Sequence, residues 1–302
     1  MATIPRILLI ASPLMFRTPA FERALGLTRA MDATLHIIAF DYLEGLALSE
    51  LANDSARHHL KEIYPERHQH WLEEQVSGNR DLGMNVTLET RWVDHVVPEV
   101  LDYLQEAHAD WVIKDVQQEP LLARVMFTSL DMHLLHRYSN RLHLVSSARY
   151  PVPRQIMVAV DIYHHDDQHP GLNERLIHEG MRLGLECDAE VHLVYAYGLA
   201  LADPTQWGHG GGMMSSSAIL AQEMYEAMAE SFDALAEREG IDRDQRHLVI
   251  GSPRTSLLRF AEAQSVDVMI LGRSDRRGAE KWLGSTTEHV MSKMLTSVLI
   301  IS

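Results

Sequence analysis

Pro153-Arg-Gln-Ile-Met-Val-Ala-Val-Asp161 is the stretch on which the fold turns. A continuous apolar run closed by an aspartate predicts a central strand covered on both faces. The chain carries the stretch a second time, as Pro5-Arg-Ile-Leu-Leu-Ile-Ala-Ser12. The segments after each copy repeat as well. Helical patterns run over Phe21–Met31, with Thr28 and Arg29 facing outward, and over Leu172–Leu185, with Leu172, Leu176, Met181 and Leu185 on the apolar face. The next strands, Asp32-Ala-Thr-Leu-His-Ile-Ile-Ala-Phe40 and Asp188-Ala-Glu-Val-His-Leu-Val-Tyr-Ala196, share Asp-Ala and an apolar-His-apolar centre.

Further out, the two series stay in step. Long helical segments at Ser55–Leu82 and Ala218–Glu239 end at Gly83 and Gly240, as C-terminal caps would. Strands Asn85–Trp92 and His247–Ile250, helices Val97–Gln105 and Ser256–Ala263, and strands Ala109–Lys114 and Val266–Gly272 come next. Leu142–Ser146 and Ser297–Ile301 close the two series. Alternating strands and helices predict a parallel sheet with helices on both faces. Two α/β domains are therefore expected, 1–150 and 151–302, with the seam at Tyr150-Pro-Val-Pro-Arg154.

Composition narrows the function classes. The 302 residues are 46% hydrophobic and 23% charged, with a formal net charge of −15. The longest basic cluster is the pair Arg276-Arg277, a poor match for nucleic acid or an anionic membrane. A single cysteine, Cys187, suits a reducing cytoplasm and reads as a small core residue. Histidine pairs such as His133/His136 lack the convergent ligand set of a zinc site, and no metal is expected. His209-Gly-Gly-Gly212 is like an esterase oxyanion loop, but no Gly-x-Ser-x-Gly elbow accompanies it. It reads as an insertion after the second strand, with Gly208–Met214 as a lid over the site.

Ligands of open parallel sheets sit beyond the carboxyl ends of the strands, where strand order reverses. In the second half those ends are Asp161 and Gly272-Arg-Ser-Asp-Arg-Arg-Gly278, followed by Gly284-Ser285-Thr286. Bare glycines let a backbone approach a phosphate, and a helix opening at Gly284-Ser-Thr attracts anions. The same residues also fit a plain loop with a Ser/Thr helix cap.

With these motifs the second half resembles a universal stress protein domain. The matching stretches are Ala159-Val160-Asp161, Val191–Ala196, Gly251-Ser-Pro253, Gly272–Gly278, Gly284–Val290 and Ser297–Ile301. The first half repeats the pattern weakly, so the whole chain is similar to the tandem bacterial members. The resemblance implies a Rossmann-like domain twice over, each a five-stranded parallel sheet of order 3-2-1-4-5, paired as an intramolecular pseudo-dimer. It implies ATP binding in the second domain, with AMP, ADP and magnesium as variants. Asp161 would meet the adenine or ribose end beside Ala159 and Val160, and Ala196 would line the adenine pocket. Leu271 and Gly272 would present backbone, with Arg273 and Gly278 in the same loop. Gly284, Ser285 and Thr286 would hold the phosphates.

Several residues depart from the family pattern. Asp275 replaces the second glycine of Gly-x-x-Gly, and the interval to Gly284 is one residue short. Arg273, Arg276 and Arg277 are placed to offset the aspartate. In the first half Ser12 stands for Asp161, Asp115 for Gly272, and Thr128-Ser129 for Gly284-Ser285. That half reads as a degenerate site. The sequence shows no paired acid and base or nucleophile that would support turnover beyond slow ATP hydrolysis. The expectation is a cytoplasmic stress-response sensor that binds a nucleotide, with a homodimer left open. The alternatives are an interaction scaffold without nucleotide, or a carrier of a phosphorylated or lipid-like metabolite.

Overall fold

The computed structural model describes residues 4–42, 54–119, 124–126, 129–162, 171–198, 213–273, 285–293 and 296–302. Two compact units emerge. One comprises Met1–Pro153 with Met294–Ile300, the other Arg154–Lys293 with Ile301–Ser302.

The first unit runs β1 (Arg6–Ala11), α1 (Pro19–Ala30), β2 (Thr34–Asp41), α2 (Asp54–Asp81), β3 (Val86–Trp92), α3 (Val96–Ala107), β4 (Trp111–Asp115), β5 (Gln117–Glu119), β6 (Arg124–Met126), α4 (Ser129–Arg137) and β7 (Arg141–Val145). Its parallel strands lie in the order β3-β2-β1-β4-β7, the expected 3-2-1-4-5. Ile7, Leu8, Leu9 and Ile10 are all buried, as a strand with helices on both faces requires. Residues Ser297–Ile300 group with this unit and pair antiparallel with Val145–Leu142.

The second unit runs β8 (Gln155–Val160), α5 (Leu172–Cys187), β9 (Glu190–Tyr197), α6 (Met213–Arg238), a 3-10 turn (Arg243–Gln245), β10 (Arg246–Ile250), α7 (Pro253–Ala263), β11 (Val268–Gly272) and α8 (Ser285–Lys293). Its strands are parallel in the order β10-β9-β8-β11. Ile156, Met157, Val158 and the run Val268–Leu271 form its buried centre.

Local chemistry explains the element ends. Thr18 caps α1 by accepting the Phe21 N–H at 3.3 Å, and Pro19 occupies the first turn, where no N–H is needed. Gly83 and Gly240 adopt φ of 86° and 74°, the left-handed conformation that stops a helix. The first strand of each unit is tied down at its start by an aspartate. Asp110 Oδ2 accepts the Arg6 N–H at 2.8 Å, and Asp267 Oδ2 accepts the Arg154 and Gln155 N–H groups at 2.8 and 3.1 Å.

Three sequence expectations change. Thr28 is buried rather than outward, because its hydroxyl donates to the Ala24 carbonyl at 2.7 Å and needs no water. Leu185 is 86% exposed. The buried face of α5 instead follows Leu176, Ile177, Gly180, Leu183, Gly184 and Cys187. Finally, β5 and β6 form an antiparallel ribbon after β4 that the repeat pattern did not contain.

Candidate functional site

In the second unit, β9, β8 and β11 end side by side. Val160 pairs with Tyr195, so Asp161 and Ala196 follow one step beyond. Val158 pairs with Ile270, which sets Leu271 and Gly272 beside Ala159 and Val160. The structure thus brings together Ala159, Val160, Asp161, Ala196, Leu271 and Gly272, as the strand order requires.

Asp161 is exposed, and its backbone is held rigidly. Asn173, buried in the first turn of α5, accepts the Asp161 N–H on Oδ1 at 3.2 Å and donates from Nδ2 to the Asp161 carbonyl at 2.9 Å. Sequence reasoning missed Asn173, whose one signal was a polar residue on the first turn of an apolar helix. Gly272 has little room for a side chain, since a Cβ there would lie 2.9 Å from Leu172 Cδ2. The first turn of α8 is fastened to it, because Thr287 Oγ1 donates to the Gly272 carbonyl at 3.2 Å. Thr286 is half-buried beside it.

Ala196 is buried, and Tyr197 next to it packs on Tyr225 of α6 with ring centroids 6.0 Å apart. Burial pushes the Tyr197 phenol above its usual range. Gly251 closes this edge. It takes φ of 135° and donates its N–H to the Tyr197 carbonyl at 2.9 Å, and a Cβ would meet Ser256 Oγ at 2.6 Å.

Arg273 differs from the phosphate-facing picture. Its side chain is buried, its guanidinium donates to Ser302 Oγ, and its N–H donates to the Ile301 carbonyl at 2.8 Å. Gly278 and Gly284 lie outside the described residues, as do Asp275, Arg276, Arg277, Thr128 and the run 208–212. Ser285 begins α8.

A family model for the universal stress protein family matches residues 153–302. The chain belongs to the universal stress protein family. It is 23% identical to Universal stress protein E of Escherichia coli K12 over 304 aligned residues, covering 100% of this chain and 95% of that one. The Universal stress protein E homolog of Haemophilus influenzae is 24% identical over 261 residues, covering 83% and 81%. A universal stress protein from Archaeoglobus fulgidus shares the fold at TM-score 0.61 and 14% identity, covering 98% of each chain. A functionally unknown protein of Pseudomonas aeruginosa PAO1 does so at 0.72 and 19%, covering 99% of this chain and 92% of that one.

The first unit of this universal stress protein fills the equivalent strand ends with its own side chains. Ser12 Oγ accepts the Leu14 N–H at 3.3 Å. Burial raises the Asp115 carboxyl above its ordinary range, against the pull of Lys114. Lys114 Nζ itself sits 2.8 Å from Asp131 Oδ1, whose side chain is fully buried. At the end of β2, Asp41 Oδ1 lies 2.7 Å from His68 Nδ1, and neither side chain is exposed. His68 is thus a structural partner, whereas His58 and His70 are solvated on α2. Among the described residues no group of three His, Cys, Asp or Glu is placed to hold a metal ion. Among them also, no helix is long and apolar enough to cross a membrane.

Proposed function

We propose that the strand ends of the second unit bind a nucleotide, ATP with magnesium in the first place. The protein would then serve in the cytoplasm as a stress-responsive binding module rather than an efficient enzyme. One observation carries this reading. Asp161 is exposed on a backbone clamped by Asn173, beside a glycine-ended β11. At the matching places the first unit has buried Ser12 and half-buried Asp115.

The division of labour follows from chemistry. Asp161, with Ala159, Val160 and Ala196, takes the base and ribose, because a carboxylate accepts hydroxyl and amino protons. Leu271 and Gly272 offer main chain at close range. Gly278, Gly284, Ser285 and Thr286 meet the phosphates at the start of α8, where free N–H groups and the helix dipole favour anions. The first unit, with its strand ends occupied by ion pairs, is a structural partner in this reading.

The test is mass spectrometry of small molecules released by denaturing gently purified protein. ATP, ADP or AMP at near-stoichiometric yield supports the reading, and its loss from Asp161→Ala ties it to this site. A different phosphorylated or lipid-like compound overturns it in favour of a carrier. A second reading, an interaction scaffold, draws on Leu14 and Phe16, which are 67% and 50% exposed on the loop after β1. It predicts protein partners whose capture is lost in Leu14→Ser and indifferent to Asp161→Ala.

A further inference from the structure

Each unit carries a histidine at the third position of its second strand, His36 in β2 and His192 in β9. Both lie toward the amino ends of the strands, away from the proposed site. Their surroundings match position by position. The neighbouring strand opposes Ile38 with Glu89 and Val194 with His247, two residues on from each histidine. The following helix supplies Tyr103 or Phe260. The difference lies in the chemistry of the partner, an acid in one unit and a base in the other.

In the first unit, His36 Nε2 is 2.6 Å from the Tyr103 hydroxyl, which donates to Glu89 Oε2 at 2.8 Å. His36 Nδ1 is 2.8 Å from Thr87 Oγ1. Burial holds His36 below its ordinary range, but a proton on it meets oxygen acceptors and a carboxylate 3.6 Å away that pulls the other way.

The second unit allows no such relief. Gln155 Nε2 donates to Glu190 Oε2 at 3.0 Å, which turns Gln155 Oε1 toward His192 Nε2 at 2.7 Å. His192 therefore carries its proton on Nε2 and accepts on Nδ1. The group facing that nitrogen, at 3.0 Å, is His247 Nε2, which must be the donor. The charges near His247 are Glu190 at the start of β9 and Asp244 in the 3-10 turn, while α7 presents the Phe260 ring at 4.8 Å. Arg246 is turned away, donating to the Ile241 carbonyl and pairing with Asp233. One proton added at His247 Nδ1 keeps the N–H···N bond. A second, on His192 Nδ1, sets two N–H groups and two positive charges head to head.

We infer that His192 and His247 form a proton-sensitive clasp, which holds β10 to β9 while at most one ring is charged and opens when both are. Burial and the neighbouring imidazole both push His247 below its ordinary range, in keeping with this geometry. The unfolded chain takes up both protons as pH falls through ~6.5, while the head-to-head geometry of the folded pair resists the second. Stability of the pairing is therefore complete above that pH and is lost as pH falls below it. The clasp stands independently of any nucleotide.

The test is amide hydrogen exchange of the intact protein over Leu248–Ile250, corrected for intrinsic rates, between about pH 7.5 and pH 5. The expected result is an opening constant that climbs up to ~10-fold more per pH unit in the wild type than in His247→Gln, one proton's worth. His247→Gln retains a donor for His192 Nδ1 but cannot be charged. His247→Glu, which places the first unit's acid at this position, is expected to flatten the dependence as well. Equal pH dependence in the wild type and both variants overturns the clasp. If the variants do not fold, ring-nitrogen NMR of the wild type decides. One ring staying neutral down to acid unfolding supports the clasp, and both rings protonating independently near pH ~6.5 in the folded protein overturns it.

Discussion

Asp115 and Gly272 stand at the same place in two copies of one sheet. Ile7 pairs with Trp111 in the first unit and Ile156 with Val268 in the second, and Asp115 and Gly272 each lie four residues further along the strand. The next residue, Val116 or Arg273, donates its N–H to the last strand, to Val145 at 3.0 Å or to Ile301 at 2.8 Å. The backbones are equivalent, and the side chains are not. A half-buried carboxyl stands where the second unit leaves bare backbone.

Asn173 holds the main chain of Asp161 from both sides. Asn173→Ala removes both hydrogen bonds to the Asp161 backbone and is expected to cost about 1–3 kcal/mol. Urea unfolding measures it. Asp161→Ala changes an exposed side chain and leaves the Asn173 bonds to its backbone in place, so it is expected to shift the midpoint less.

The Asp41–His68 pair is fully buried. His68→Leu leaves the carboxylate without its partner and is expected to cost about 3–5 kcal/mol. The double variant Asp41→Leu/His68→Leu should recover much of that loss, because no lone charge remains. Equal losses in the single and double variants, read in a denaturant cycle, count against the pairing.

Two helical glycines predict opposite signs. A Cβ on Gly26 of α1 would lie 2.5 Å from the Pro151 carbonyl oxygen, a backbone atom that cannot rotate away. Gly26→Ala is expected to destabilise by about 1–3 kcal/mol. A Cβ on Gly78 of α2 meets nothing within 4 Å, so Gly78→Ala should stabilise by about 0.5–1 kcal/mol. Thermal unfolding of the two variants side by side gives both signs.

His143 of β7 is fully buried beside Trp111, and among the described residues neither ring nitrogen has a hydrogen-bond partner. Burial, reinforced by Arg23, holds it well below its ordinary range. A depressed histidine contributes stability that is complete above the unfolded value near pH ~6.5 and falls away in acid. Between about pH 7.5 and pH 5, His143→Leu should therefore lose about 2 kcal/mol less stability than the wild type. An unchanged slope in denaturant titrations at the two pH values would show that His143 takes up its proton in the fold as readily as in the unfolded chain.

Much of the fold was readable because it rests on local signals. Ile7–Ile10 and Ile156–Val160 are unbroken apolar runs, and Gly83 and Gly240 mark helix ends through backbone conformation alone. Thr28 and Leu185 were misplaced because helical periodicity alone does not say which side chains meet a neighbour. Thr28 satisfies its own hydroxyl, and Leu185 falls past the edge of the buried stripe. Of the candidate site, the strand-end residues followed from the repeat. Asn173, His68 and the His192–His247 contact did not, since each joins positions distant in sequence. The β5–β6 ribbon sits where the repeat pattern promises only a loop, and three-residue strands carry too little periodicity to be seen.

The central claim is a nucleotide site built around Asp161 and Gly272 in the second unit. Calorimetric titration of the intact protein with ATP and magnesium tests it most directly, run beside Asp161→Ala. The account predicts one saturable site per chain and an affinity at least ~10-fold weaker in the variant, the loss of about 1.4 kcal/mol or more of binding energy. Absence of binding in the wild type, or equal affinity in both proteins, would contradict it.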